Sequence, residues 1–208
     1  MRRFLSRCAA LSAILAGCLV AARALGAHQA PLWHAWLVHA DGTPCERACL
    51  LGVTPDGALS FEAARERLSA HPITHGATAV NRGLTMHWRT SRFELSIGRE
   101  QNSEQLMWIN LQIRDRTLRV SDLLAAHGTP DYVSAVANSI VTDLIYTEHG
   151  LQVSALREAL PEGAPLRLSN RVYNIYLVAP EPFAALLARV SNLRAWRGLV
   201  SIAHYLKP

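Results

Sequence analysis

Lysine is all but missing from this chain: Lys207 is the only one among 21 basic residues, and arginine supplies the rest. With no arginine-rich run anywhere, that imbalance reads as a coding bias and not as a binding surface. The formal net charge of +5 also overstates the case. Arg2, Arg3, Arg7 and Arg23 lie before residue 28, and taking those four from +5 leaves +1 for the remainder. A nearly neutral domain lacks the basic footprint that nucleic acid requires, so no nucleic-acid partner is expected. Also missing are a G-x-S-x-G elbow, an H-E-x-x-H helix and a glycine-rich phosphate loop, which removes the usual signatures of a serine hydrolase, a zinc peptidase and a nucleotide-binding enzyme. The nine histidines are scattered and form no close metal triplet. No cofactor, resident metal or catalytic residue is expected.

What is present begins with an export-like leader. "MRRFLSR" is basic, "CAALSAILAGCLVAA" is apolar from Cys8 to Ala22, and small residues follow in "RALGA" up to Ala27. The apolar run falls short of the ~20 residues of a spanning helix. Three fates fit residues 1–27: lipidation at Cys18, because "LAGC" resembles a bacterial lipobox; ordinary cleavage near Ala24 or Ala27; or retention as a short membrane anchor. Each places the bulk of the chain outside the cytoplasm, with the N-terminus as the link to the membrane.

Half of the 208 residues are hydrophobic, enough for a core. Residues 28–44 read as a linker or packing arm. In "LSFEAARERLSAHP", Ser60 caps a helix, Glu62 sits in its first turn, Phe61, Ala64 and Leu68 make an apolar face, and His71-Pro72 ends it. The period then becomes two: strands are expected at 85–89, 93–97 and across "LMWINLQIR", antiparallel because the connections are short. The order recurs with "RVSDLLAAHGTPDY", capped by Ser121 and stopped by Gly128, then strands at 139–147, 151–157 and 171–178. The expected fold is α+β, with two similar helix-plus-antiparallel-sheet halves, 45–115 and 116–179, and a helical tail over 180–208. Pro182 opens that tail, and Phe183, Leu186, Leu187 and Val190 share a face.

Cys45 and Cys49 are the two cysteines outside the leader. An oxidising compartment favours a disulfide, which needs an irregular segment between them. A copper or thiol-redox site using the pair with His34 and His39 is the alternative. His71 and His127 fall at helix ends, where a partly charged imidazole complements the dipole. Among the aromatics, Trp108 and Tyr176 are the candidate binding residues. Tyr176 shares a strand face with Val172, Asn174 and Val178, opposite Tyr173, Ile175 and Leu177.

"PCERACLLGVTPDGALSFEAARERLSAHP" resembles the opening motif of a broad group of uncharacterised exported bacterial proteins, a P-C-x-x-P-C segment followed by a G-I-x-P-G turn and a helix ending in "HP". Ala48 stands where the group often has proline. "LRVSDLLAAHGTPDYV" and "LIYTEHGLQV" are similar to its L-x-x-L-x-x-x-G-x-P-D element and its Y-x-x-x-G-L hairpin. The layout is more loosely similar to tandem helix-plus-sheet modules such as the beta-lactamase inhibitor protein. These resemblances bring no catalytic residues and imply binding over catalysis. The expected role is an exported, envelope-associated module that binds a protein or envelope component through a sheet face; an enzyme or small-ligand binder with a pocket between the halves is the alternative.

Overall fold

The computed structural model describes residues 36–39, 41–43, 45, 47–115, 117–135, 139–157, 166–190 and 192–199. The leader with Cys18, most of the arm and the end of the tail lie outside them.

Among the described residues, three helices and one antiparallel sheet of nine strands make an α+β fold. Helix α1 (Phe61–Ala70) begins where Ser60 Oγ accepts a hydrogen bond from Ala63 N–H at 3.1 Å, and it buries Phe61, Ala64 and Leu68. His71 is its C-cap. Four strands follow: β1 (Thr78–Asn81), β2 (Thr85–Arg89), β3 (Phe93–Gly98) and β4 (Trp108–Ile113). Helix α2 (Val120–His127) comes next, then β5 (Tyr132–Ala135), β6 (Val141–Tyr146), β7 (Leu151–Leu156) and β8 (Arg171–Val178). Helix α3 (Pro180–Arg189) and the short strand β9 (Leu193–Ala195) follow.

The strands lie in the order β1-β2-β3-β4-β8-β7-β6-β5-β9. Two separate halves are therefore not what forms. Backbone pairing from Trp108↔Val178 to Gln112↔Asn174 fuses all the strands into a single sheet, because β4 and β8 each satisfy the edge that the other would expose. The tail also departs from expectation. Among its described residues it is helical over Pro180–Arg189, and β9 then pairs with β5.

Alternation fixes two unlike faces. Leu95, Leu111, Ile175, Val153 and Leu144 follow one another across neighbouring strands on one face, all with no exposed surface. Val120 and Leu123 of α2 are buried too. A bulge moves Val172 to this core: Asn174 pairs with Ser154 but Val172 with Ala155, so Tyr173 is the extra residue and the face of Val172 is reversed from simple alternation. The α2 cap differs as well. Ser121 lies inside the helix, and the Asp122 carboxylate accepts from the N–H of Arg119, the N-cap, at 2.8 Å.

Helix α3 lacks a side-chain cap, and its sequence removes most of the need for one. Pro180 and Pro182 have no N–H, so two of the donors that a first turn usually leaves unsatisfied are absent. Phe183 packs with Ile145 and Val178 on the face opposite the core, and Trp108, Tyr132, Tyr176, Leu187 and Leu193 pack around them, partly buried.

Candidate functional site

That opposite face carries a row of polar side chains. Arg89, Glu94, Gln112, Asn174, Ser154, Asp143 and Ser134 are successive cross-strand partners from β2 to β5. A second row places His87, Ser96, Asn110, Tyr176 and Gln152 side by side. At one end Glu94 is held by Arg89, at 2.9 and 3.1 Å, and by Arg114 at 2.8 Å. The Arg89 hydrogen bonds, aided by Arg114, hold the Glu94 carboxyl below the usual range against the opposing cost of burial. At the other end Ser154 donates to Asp143 at 2.6 Å. Burial raises the Asp143 carboxyl, and the hydrogen bonds from Ser154 and Gln152 partly offset this. Between them Asn110 Oδ1 is buried without a hydrogen-bond partner.

Trp108 and Tyr176 are brought together, with ring centroids 6.0 Å apart. Both are half-buried where α3 meets the polar rows. Gly98 makes room for the indole, since a Cβ there would run into the Trp108 ring.

Cys45 and Cys49 form a disulfide with a Cα–Cα distance of 6.2 Å, within the normal range, and Arg47 to Cys49 are not helical. Oxidised sulfurs are not thiolate donors, so in this form the pair supplies no metal ligands. His34 of the copper reading lies outside the described residues, and among those described no group of three or more His, Cys, Asp and Glu side chains is placed to hold a metal. Just after the disulfide, Leu51 and Gly52 both take positive φ (54° and 72°) in a two-residue turn closed by Leu50 and Val53.

The histidines at helix ends differ from expectation. Burial holds both imidazoles below their ordinary pKa; His127 is pushed down to about 4, with the neighbouring His149 as a smaller cause. Desolvation outweighs the helix dipole at these positions. His71 Nδ1 accepts the Ile73 N–H at 3.2 Å, which suits a neutral ring. His127 Nε2 is buried without a partner, and its ring lies 5.7 Å from that of His149 and 5.9 Å from that of Tyr146.

A cavity of about 210 Å³ opens beside α3. Val178, Pro180, Phe183 and Leu187 give it an apolar floor, while Arg47, Asp56, Glu148 and His149 stand around it. Its walls come from Arg47 and the stretch from Thr54 to Asp56 and from the β6–β7 hairpin, within the two motif segments singled out by resemblance. The sequence offered no sign that they meet. Gly150 locks the hairpin in place: its carbonyl accepts from Val178 N–H at 2.9 Å, its φ is +57°, and a Cβ would run into the Val178 carbonyl.

No family model matches the chain, and no curated protein matches it. Among solved structures it is similar to a cysteine-rich secretory protein from Staphylococcus aureus, at 9% identity and a TM-score of 0.30. The likeness covers 63% of this chain and 48% of that one, so the match spans about half the length of the staphylococcal protein. At this distance it bears on neither fold nor chemistry.

Proposed function

We propose that this chain is an exported, non-catalytic module at or near a bacterial membrane, which binds another protein or an envelope component through the polar face of its sheet. The observation that carries the reading is the unbroken row from Arg89 to Ser134, opposite a face that is buried from Leu95 of β3 across to Leu144 of β6. Seven strands at ~4.8 Å spacing span about 29 Å. That matches the width of a standard protein–protein patch of roughly 800 Å² on each partner. Arg89 and Gln112 are exposed on it, and the Trp108–Tyr176 pair borders it with aromatic area. Export rests on the leader-like residues 1–27, and the resemblance to exported bacterial proteins supports the same location. Lipid on Cys18 or a retained span would supply the attachment.

The test is site-specific photocrosslinking in the native host, with the reactive group at Gln112 and, as a control, at Glu66 on α1. A discrete adduct from position 112, lost when Arg89→Glu is added, is expected. Adducts from position 66 and none from 112 would refute the reading.

A further inference from the structure

We propose that the cavity beside α3 binds a small aliphatic zwitterion, an α-amino acid of about the size of valine or leucine. This does not depend on the sheet-face reading.

Size comes first. An apolar cavity of about 150 Å³ holds benzene, with its six heavy atoms. In proportion, about 210 Å³ holds roughly eight, which is valine-sized and close to leucine. Pockets that bury drug-sized ligands run from about 300 Å³ upward, so this one is matched to a smaller molecule.

Chemistry comes second. Val178, Phe183 and Leu187 offer a surface for a branched aliphatic side chain and no polar side-chain atom. The charges above that floor are of both signs. Arg47 and Glu148 are exposed, and neither forms an ion pair among the described residues. Asp56 is exposed and uses one carboxylate oxygen to accept from Ala58 N–H at 3.0 Å, within its own turn. A purely apolar ligand would leave these charges unused, an anion would face two carboxylates, and a cation would face a guanidinium. A zwitterion answers both signs, its carboxylate toward Arg47 and its ammonium toward Glu148 and Asp56. The scaffold is preorganised, because Gly150 fixes the hairpin to β8 and the disulfide closes the segment that carries Arg47.

The experiment titrates L-leucine into the full chain, as matured by its host, with the Val and Leu methyl groups followed by NMR. Saturable shifts at Val178 and Leu187 are expected at up to about 10 mM ligand. 3-Methylbutylamine, which lacks the carboxylate, and 4-methylpentanoate, which lacks the ammonium, should each bind about tenfold more weakly. Arg47→Gln and Glu148→Gln should cost a similar factor, and both sites are exposed enough to leave folding intact. Ala184→Phe, from an exposed helical position on the cavity wall, should abolish binding by filling the space. No saturable shift, shifts confined to other methyls, or equal binding of leucine and the amine would overturn the proposal.

Discussion

Acidification should unfold this protein in a way that one imidazole makes measurable. In the unfolded chain His127 titrates near its ordinary value of 6.5, whereas burial holds it at about 4 in the folded state. The sign follows from proton uptake. Between these values the unfolded state binds a proton that the folded state refuses, so stability is full above about 6.5 and falls as the pH drops toward about 4. The difference of about 2.5 pH units at 1.36 kcal/mol each gives about 3 kcal/mol, an upper figure because the ring keeps some access to solvent. By about pH 5 the loss should reach about 2 kcal/mol, a range in which Glu94, whose carboxyl is held low, still keeps its charge. Urea denaturation followed by circular dichroism, in steps from about pH 7.5 to 5, measures this. His71 is shifted in the same direction, so the contribution of His127 is read as the difference between wild type and His127→Gln. Parallel stability curves for the two proteins, or an NMR titration placing folded His127 near 6.5, would refute the reasoning.

Gly150→Ala should cost about 2 kcal/mol or more, through the positive φ and the collision with the Val178 carbonyl; thermal denaturation checks it. Replacing Cys45 and Cys49 together with serine should cost only about 2 kcal/mol, since the closed loop is short. The intact mass of the unreduced protein should be lower than that of the reduced form by two hydrogens. Leu68→Ala should lose about 2–5 kcal/mol and Ser60→Ala about 1 kcal/mol in the same urea assay, the first by opening a cavity and the second by freeing the Ala63 N–H.

Local signals were legible. Helix α1 and strands β2, β3, β4 and β8 stand close to where capping and alternation put them, because each is written in consecutive residues. Strand β1 was not read: Thr78–Asn81 is exposed throughout, so no hydrophobic alternation marks it. Strand β9 has only three residues and owes its existence to pairing with β5, some sixty positions earlier in the chain. The bulge at Tyr173 depends on register with β7, so the face of Val172 could not be read from β8 alone. Trp108 and Tyr176 were named from their strand positions and do adjoin; a tail lying over the sheet was expected, but nothing in consecutive residues says that α3 packs beside this pair in particular. The cavity was missed for the same reason: Arg47 and Glu148 are about a hundred positions apart, and no spacing rule joins them.

The β4–β8 seam has a consequence for the order in which the protein can be made. Trp108 and Val178, paired across it, are 70 positions apart. Whether the chain emerges from a ribosome or threads through an export channel, β4 arrives long before its partner, with the backbone N–H and C=O groups of six residues unpaired on one side. Such an edge invites pairing with other chains. Closing it requires a long-range contact, the kind that folds slowly. The interval before residue 178 appears is thus the most hazardous stage in the life of this molecule, and it ends only when the last long strand slots into the middle of the sheet.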